Sequence, residues 1–346
     1  MKCSKLLFVA LLSSVFFASC VKEDIPTFPS LGIYENGFFV LNEGNATKGS
    51  VSFVKNSLTS VNNNIFEAEN AEDNIGGYAQ SIFFDGEKAY IISNGSNKIT
   101  VVNRYTFKLI TKITTGFNVP RYGTVINGRA YVTNLGDFAD LTDDFITVIK
   151  LSNNSIEAPI PIGAIGEKIT AINNKLYVAN GNYGDGNTLT ILNPDTRTVI
   201  KTLTFGNSPN SMVENNGNLY VLCSNYTANS ELVKINLTTD EIATTTPLAS
   251  SLINVQNLNL DNDKIYFTQN SAIFSDSLNS ATISETPLFV ASQATTIYGF
   301  TVKNNVVYVA DAIDYVSAGK VYIYSSTGTL STEITVGISP NGFYFN

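Results

Sequence analysis

The feature that most constrains the fold is a short apolar segment, centred on an aromatic residue, that recurs seven times along the chain. The seven copies occupy residues 38–42, 89–92, 130–134, 176–180, 219–222, 265–268 and 307–311. From Tyr90 to Tyr308 the central aromatic residues are about 41 to 46 residues apart, and the first interval, from Phe39, is a little longer. That period is typical of the four-stranded blade of a β-propeller. Because the segments are almost continuously apolar, both faces of each predicted strand must be covered, as happens when blades stack around an axis.

The order of strands and turns within each unit predicts how the ring closes. A strand and a tight turn such as Asn127-Gly128 precede the aromatic strand, and two more strands follow it. The segment Gly337-Ile338-Ser339-Pro340-Asn341 has the same form as Gly206-Asn207-Ser208-Pro209-Asn210, which opens an inner strand, whereas the first unit lacks an inner strand. We therefore predict an all-β fold, a single β-propeller of seven four-stranded blades closed by the C-terminal strand. Residues 271–287 are irregular, so six or eight blades are the alternatives.

The first residues predict a lipoprotein leader. Lys2 and Lys5 precede an apolar stretch at residues 6–17 that is too short to remain as a membrane-spanning helix. The stretch ends in Phe17-Ala18-Ser19-Cys20, which resembles the bacterial lipobox, in which the leader is cleaved before a cysteine that then carries lipid. We predict a signal peptide at 1–19, a lipidated Cys20 with a tether at 20–33, and the propeller at 34–346. The alternative is an ordinary secretory leader followed by an incidental cysteine.

The residues after Cys20 predict the location of the protein. Val21-Lys22-Glu23-Asp24 resembles the surface-export signal of Bacteroidota lipoproteins. That resemblance implies an outer-membrane lipoprotein that faces the cell exterior. The alternative is a solvated, charged tether.

Charge and composition exclude several classes of function. The net charge of −8 disfavours nucleic acid as a partner. The sequence contains no histidine, which excludes a Ser–His–Asp triad and His-ligated zinc or haem. Cys223 lies in an apolar strand and is predicted to be a core residue rather than a nucleophile. We predict a non-enzymatic protein with no cofactor and no metal site.

The propeller topology indicates where a ligand would bind. The loops after the aromatic strands and those entering each inner strand share one face around the central funnel. The predicted ligand-binding residues on this face are Tyr78, Asn94, Phe117, Arg121, Tyr122, Phe138, Tyr183, Asp185, Asn210, Tyr226, Tyr298 and Tyr315. Aromatic rings interleaved with amides and carboxylates suit a flat, polar ligand. The alternative is that several tyrosines simply pack over neighbouring loops.

Three other patterns have a functional and a structural interpretation. The carboxylates of Asp137, Asp140, Asp143 and Asp144, together with the loop Gly184-Asp185-Gly186-Asn187, match no established calcium spacing and are predicted to be solvated loops. Glu167 and Glu214 are the carboxylates expected nearest the funnel, where some propeller hydrolases hold calcium. Asp276-Ser277-Leu278 resembles a short O-glycosylation motif of Bacteroidota.

Two aromatic strands carry a family resemblance. Tyr131-Val132-Thr133-Asn134 matches the signature of the YVTN-repeat propellers, and Tyr177-Val178-Ala179-Asn180 is a close variant. Together with the lipobox and the opening Gly37-Phe38-Phe39-Val40-Leu41-Asn42-Glu43-Gly44, the chain resembles the surface propeller lipoproteins of Bacteroidota. That group includes corrinoid-capturing proteins associated with TonB-dependent transporters. The repeat itself is structural and does not specify the cargo.

The resemblance implies a function and leaves two alternatives. We expect a lipoprotein that captures a small molecule or glycan on the funnel face for a TonB-dependent transporter. The first alternative is a scaffold or adhesion protein whose face binds another protein. The second is a calcium-dependent propeller hydrolase.

Overall fold

The computed structural model describes residues 30–71, 73–182 and 184–346. One compact unit spans Leu31–Asn346. The predicted signal peptide, Cys20, most of the predicted tether and Tyr183 lie outside the described residues. Within the described ranges, no helix has the length and apolarity needed to cross a bilayer.

The described strands form seven four-stranded antiparallel sheets, the blades of a β-propeller, so the predicted fold class and blade number are confirmed. Blade 1 contains β1 (Gly37–Asn42), β2 (Ser50–Lys55), β3 (Val61–Asn62) and β28 (Pro340–Phe345). Blade 2 contains β4 (Ala79–Asp85), β5 (Lys88–Ser93), β6 (Lys98–Asn103) and β7 (Leu109–Ile113). Blade 3 contains β8 (Pro120–Ile126), β9 (Arg129–Asn134), β10 (Phe145–Lys150) and β11 (Ser155–Pro161).

The remaining four blades follow the same order from the inner to the outer strand. Blade 4 contains β12 (Gly166–Ile172), β13 (Lys175–Asn182), β14 (Asp185–Asn193) and β15 (Thr198–Thr204). Blade 5 contains β16 (Pro209–Asn215), β17 (Asn218–Cys223), β18 (Glu231–Asn236) and β19 (Glu241–Pro247). Blade 6 contains β20 (Gln256–Asp261), β21 (Lys264–Gln269), β22 (Ala272–Ser277) and β23 (Phe289–Val290), and blade 7 contains β24 (Ile297–Lys303), β25 (Val306–Asp311), β26 (Ala318–Ser325) and β27 (Leu330–Ile338). The irregular stretch noted in the sequence precedes the two-residue outer strand of blade 6. A short helix α1 (Ile65–Glu69) and a 3-10 turn (Asn94–Ser96) complete the described elements.

The last strand closes the ring as predicted. β28 pairs antiparallel with β1, with Phe39 opposite Tyr344 and Val40 opposite Phe343. The ring of Phe38 lies 5.5 Å from that of Phe345. The pairing supplies blade 1 with its missing inner strand, so the inner edge of β1 is covered.

The recurring aromatic residues hold neighbouring blades together. Tyr90, Tyr131 and Tyr177 are each at most 1% exposed. The hydroxyl of Tyr131 donates to the carbonyl of Pro194 at 3.1 Å, and that of Tyr177 donates to Asp240 Oδ1 at 2.7 Å. In each case the acceptor lies in the turn before the outer strand of the next blade. The ring therefore fills the space between two sheets while its hydroxyl stays hydrogen-bonded.

Tight turns between the first and second strands of blades 2 to 7 define the face opposite the funnel. Asn127 and Gly128 have φ angles of 51° and 70°, and Asn304 and Asn305 have 53° and 62°. Two consecutive positive φ angles are the signature of a two-residue type I′ hairpin, for which Asn and Gly are preferred. These turns place the second-to-third-strand loops and the entries of the inner strands together on the other face.

Candidate ligand site in the funnel

A cavity of about 880 Å³ opens on the face that the sequence analysis selected. Its lining comes from the first residues of the inner strands, from the loops that enter them, and from the loops after the second strands. All seven blades contribute. Its volume lies towards the upper end of the ~300–1,000 Å³ usual for small-molecule sites. We call this cavity the funnel.

A ring of seven polar side chains, one from each blade, lines the funnel. The pairing between each inner strand and its neighbour shifts register at its second residue, which is the position of a β-bulge. The residues at this position are Asn341, Gln80, Arg121, Glu167, Asn210, Asn257 and Tyr298 in blades 1 to 7, and all of them line the cavity. Bulges redirect a side chain away from the regular pleat and are common beside binding sites. We call these seven residues the inner ring.

An ion pair fixes one side of the inner ring. Arg121 Nε donates to Glu167 Oε2 at 2.8 Å and Nη2 donates to Oε1 at 2.7 Å, and each residue is 7% exposed. Arg121 Nη1 also donates to Gln80 Oε1 at 2.6 Å. Gln80 Nε2 in turn donates to the hydroxyl of Tyr122 at 2.8 Å. A bidentate pair with further hydrogen bonds neutralises both charges and holds the side chains in one geometry.

Two further contacts extend this polar cluster. Asn94 Nδ2 donates to Gln80 Oε1 at 3.0 Å. Lys168 Nζ lies 3.6 Å from the centre of the Tyr122 ring, which is a cation–π distance. Blades 2, 3 and 4 are thereby tied together at the funnel before any ligand arrives.

A half-buried carboxyl group, that of Glu43, lies on another part of the wall. The hydroxyl of Tyr298 donates to Glu43 Oε2, and the ring of Tyr298 meets that of Tyr315 edge-on at 5.3 Å. Burial raises the pKa of Glu43, while the Tyr298 hydrogen bond and the charge of Arg121 partly oppose the rise. Glu43 follows β1 directly, so this contact also joins blade 7 to blade 1.

Four exposed aromatic residues surround the mouth of the funnel. Tyr78, Phe138, Tyr226 and Tyr315 are 40%, 65%, 54% and 51% exposed. They come from four different loops, and all line the cavity. Tyr78 and Tyr315 have φ angles of 48° and 63°, a left-handed conformation that is unfavourable for a tyrosine and that clusters at ligand-binding sites. We call these four residues the aromatic rim.

Comparison with known proteins identifies the family. A family model described as a domain of unknown function, DUF5074, matches residues 36–330. The chain belongs to the DUF5074 family. No curated protein matches the chain at the sequence level. The finer resemblance to YVTN repeats and to corrinoid-capturing propellers stays a prediction for this DUF5074 protein.

Solved structures share the fold of this DUF5074 propeller. A quinoprotein alcohol dehydrogenase-like protein from Bacteroides thetaiotaomicron is 16% identical, with a TM-score of 0.69 over 90% of this chain and 78% of that chain. The dihydro-heme d1 dehydrogenase NirN is 12% identical, with a TM-score of 0.58 over 92% of this chain and 78% of that chain. BamB from Moraxella catarrhalis is 13% identical, with a TM-score of 0.52 over 88% of this chain and 84% of that chain. At these identities the similarity supports the fold alone.

The structure brings together most of the side chains predicted from the DUF5074 sequence. The predicted residues that line the funnel are Tyr78, Asn94, Arg121, Tyr122, Phe138, Asn210, Tyr226, Tyr298 and Tyr315. Tyr183 lies outside the described residues. Whether these side chains bind a ligand stays a prediction.

Two predicted residues do not line the cavity. Phe117 packs against the hydrophobic core between blades 2 and 3. Its loop is held in this position by a hydrogen bond, in which Asn118 N donates to Asn134 Oδ1 at 3.0 Å. Asp185 begins β14, with an exposed side chain and a backbone carbonyl that accepts a hydrogen bond from Ser208 Oγ at 2.9 Å. Phe117 lies in a loop of this face and Asp185 at the start of a strand, and neither side chain lines the funnel.

Several inner-ring residues and one wall residue were missed. Gln80, Asn257, Asn341 and Glu43 line the funnel and were not predicted. Their position in the repeat could have identified them. Each inner-ring residue directly follows the residue that pairs with the end of the aromatic strand. The repeated Pro-Asn of Pro209-Asn210 and Pro340-Asn341 marks that position in two blades.

The carboxylates considered for calcium are engaged in local contacts. Asp140 Oδ1 accepts from Thr142 N at 3.0 Å, and Asp144 Oδ2 accepts from Gly166 N at 2.7 Å. Glu214 does not lie at the funnel, since its Oε1 accepts from Gly217 N in a turn on the opposite face. In residues 30–71, 73–182 and 184–346, no group of three or more His, Cys, Asp or Glu side chains is arranged to hold a metal.

Proposed function

We propose that this protein is a lipid-anchored receptor that captures a small molecule or glycan in the funnel and delivers it to a TonB-dependent transporter of the outer membrane. The observation that carries the proposal is the funnel itself: about 880 Å³ enclosed by seven polar inner-ring side chains beneath an exposed aromatic rim. Aromatic faces with a few well-placed polar groups are the usual composition of a small-molecule site.

The polar cluster around Arg121 supports binding because it is organised in advance. Arg121, Glu167 and Gln80 already have their hydrogen-bond partners, so little side-chain entropy is lost when a ligand arrives. The left-handed backbone at Tyr78 and Tyr315 also supports a binding site, because backbone strain of this kind clusters at ligand-binding sites.

The proposal assigns no catalytic step to the funnel. The sequence contains no histidine, and Glu167 is committed to Arg121. Cys223 is buried in blade 5, and burial raises the pKa of its thiol well above the usual range. A receptor needs none of these groups to be reactive.

Equilibrium binding tests the capture function. The full chain, purified from membranes in detergent, is titrated by calorimetry with corrinoids, oligosaccharides and peptides. We expect saturable binding to one class, weakened when Phe138→Ala removes a rim aromatic residue and unchanged in Ile200→Ala, a variant of a similarly exposed residue on the outer strand β15. Absence of binding to every class contradicts the capture function.

Membrane anchoring and delivery are tested in cells. Cys20→Ala should move the protein out of the membrane fraction, because the lipid chains supply the anchor. External protease should digest the wild-type protein on intact cells if the surface-export prediction is right. A transporter that co-purifies with the wild-type protein completes the proposal, and retention of Cys20→Ala in the membrane contradicts it.

A protein-binding scaffold is the second candidate, favoured by the exposure of the rim. Phe138 and Tyr226 are more than half exposed, and aromatic residues are enriched at protein interfaces. A stable protein partner that is lost in both Phe138→Ala and Tyr226→Ala, without any small-molecule binding, would select the scaffold over the receptor.

A further inference from the structure

Side-chain amides are the commonest groups in one sector of the funnel, where they lie beside serine and threonine hydroxyls. Blades 5 and 6 contribute Asn210, Asn225, Asn254, Gln256, Asn257 and Asn270 to the lining. The four charged lining residues, Glu43, Arg121, Glu167 and Lys168, come from blades 1, 3 and 4. The funnel therefore has a charged side and an uncharged side within the described lining. We call the six amide residues the amide wall.

The amide wall is held in place but keeps hydrogen-bonding capacity. Asn210 Nδ2 donates to the carbonyl of Val255 at 2.9 Å, and Asn257 Nδ2 donates to Thr268 Oγ1 at 2.9 Å. Each side-chain amide has two N–H donors and a carbonyl oxygen with two lone pairs, so a contact to the protein leaves others for a ligand. Asn225 keeps only one N–H, because its Oδ1 accepts from Thr227 N and Ala228 N and its Nδ2 donates to Asn207 Oδ1. Asn270 makes no side-chain hydrogen bond to another described residue. The wall thus presents donors and acceptors side by side.

Exposed tyrosines stand on both sides of the amide wall. Tyr226 belongs to the loop after β17 in blade 5, and Tyr315 belongs to the loop after β25 in blade 7. Both are about half exposed, and both line the cavity. An aromatic face offers a ligand an apolar surface of fixed orientation.

From this arrangement we infer that the funnel binds a neutral oligosaccharide, whose hydroxyl groups bond to the amide wall and whose sugar rings lie against Tyr226 and Tyr315. A sugar hydroxyl both donates and accepts, as an amide does, so neighbouring donors and acceptors match it without any formal charge. The C–H face of a sugar ring is apolar and fits the face of a tyrosine. The amide wall offers no cation, so the charge of an anionic ligand would stay unpaired there.

The inference rests on the proposed capture function and narrows it to one chemical class. A phosphate or carboxylate ligand would require a cation of its own, yet Arg121 is committed to Glu167, and Lys168 lies over Tyr122. A saccharide needs neither. A carbohydrate receptor at this site is therefore separable by experiment from a receptor for another small molecule.

The experiment titrates the full chain with neutral glucan, mannan, xylan and chitin oligosaccharides, with uronic-acid and sulfated oligosaccharides, with cobalamin and with peptides. Heat of binding is the first measurement, and the sequence offers tyrosine fluorescence as a second, because it contains 17 tyrosines and no tryptophan. We expect saturable binding of at least one neutral oligosaccharide.

Matched variants locate the bound sugar. Tyr226→Ala and Tyr315→Ala should each weaken binding about tenfold or more, equivalent to roughly 1.4 kcal/mol. Tyr226→Phe, which keeps the ring, should stay within about threefold of the wild type, and Ile200→Ala should be unchanged. Asn270→Ala should weaken the same neutral ligand, because it removes an amide from the wall.

The outcomes separate this inference from the function on which it rests. Binding of only charged oligosaccharides, of cobalamin alone or of peptide alone overturns the assignment to a neutral oligosaccharide but leaves capture in the funnel standing. Neutral-sugar binding that is unaffected by Tyr226→Ala, Tyr315→Ala and Asn270→Ala also overturns it. Absence of binding in every arm overturns both.

Discussion

At the scale of single residues, the polar residue at the end of the aromatic strand holds the loop that enters the inner strand in blades 3 and 7. Asn134 Nδ2 donates to Thr147 Oγ1 at 2.9 Å, while its Oδ1 accepts from Asn118 N in the loop that enters the same blade. Asp311 holds the corresponding loop in blade 7, because its Oδ1 accepts a hydrogen bond from Thr296 N at 2.7 Å. Cys223 fills this position in blade 5 as a buried, apolar residue. The polar residue at this position therefore holds a funnel loop in blades 3 and 7, whereas the side chains of Asn42 and Asn180 donate to the neighbouring strand of their own blade.

The inter-blade hydrogen bond of Tyr177 gives a prediction about stability. Tyr177→Phe removes the hydroxyl that donates to the buried Asp240 at 2.7 Å. We expect the free energy of unfolding to fall by about 1–2 kcal/mol, because Asp240 loses a partner in a buried position. Tyr220→Phe is the control, since Tyr220 is equally aromatic and buried but its hydroxyl bonds to no described residue. Denaturant titration measures both, and equal losses in the two variants would contradict this role.

Asp144 gives a prediction about pH. Burial raises the pKa of Asp144 from 3.8 to about 7, and its bond from Gly166 N only partly opposes the rise. The folded state therefore binds more protons than the unfolded state between these two values, so the free energy of unfolding falls as pH rises through that window. Asp144→Asn removes this titration.

The measurement is thermal and denaturant unfolding at several pH values from 5 to 8. We expect the wild-type protein to lose at least about 1 kcal/mol across this range relative to Asp144→Asn, since one pKa unit corresponds to roughly 1.4 kcal/mol. Glu87→Gln is the control, because Glu87 is exposed in the turn between β4 and β5 and is not among the charges that shift the pKa of Asp144. Parallel pH curves for wild type and Asp144→Asn would show that Asp144 does not titrate as proposed.

At the scale of elements, the strands and turns that were predicted correctly are those that depend on residues close in sequence. The Asn-Gly turn at Asn127-Gly128 and the buried tyrosine strands depend on residues close in sequence, so they could be read directly. The inner ring could not, because Gln80 and Asn257 reach the funnel through a bulge whose position depends on cross-strand pairing. Phe117 was misplaced for a related reason. Whether a loop aromatic faces the core or the cavity depends on the neighbouring blade, which the sequence does not reveal.

The contact between Gly95 and Tyr78 gives a prediction about how one loop positions the rim. A Cβ at Gly95 would lie 2.6 Å from Tyr78 Cδ2, which is closer than two carbons can approach. Gly95→Ala must therefore displace the Tyr78 ring, and we expect ligand affinity to fall about as much as in Tyr78→Ala. In the Tyr78→Ala background, Gly95→Ala should have little further effect. A double-mutant cycle measures this coupling, and additive losses would show that Gly95 acts elsewhere.

At the scale of the whole molecule, closure makes the blades into one structure. Sequential blades follow one another directly along the chain, whereas blade 1 is completed only by the far end of the chain. Further contacts cross the same seam, including Asn341 Nδ2, which donates to the carbonyl of Ala79 at 2.8 Å. Arg104 lies over Phe84 at 3.8 Å and donates to the carbonyl of Phe345. The funnel shares this dependence, because Asn341 in β28 is a member of its inner ring.

Closure of the ring can be tested by a C-terminal truncation and by a circular permutant. Deleting residues 340–346 exposes the inner edge of β1 and removes Phe343 and Phe345 from the core, so we expect a large loss of stability or aggregation of the truncated chain.

A circular permutant keeps the same seam while changing its connectivity. Asn346 N already donates to the carbonyl of Gly37 at 2.9 Å, so the two ends lie close together. A Gly-rich linker from Asn346 to Leu31 joins them and keeps the buried Tyr34 in the chain. New termini at Gly163, whose added Cβ would meet no atom within 4 Å, leave the blades intact. The permutant should unfold at or above the wild-type midpoint and bind the same ligand, because a covalent linker replaces a closure that otherwise costs chain entropy. A truncated chain as stable as the wild type would mean that the ring does not depend on β28, and a permutant that fails to fold would mean that the chain order, rather than the closed seam, is what the blades require.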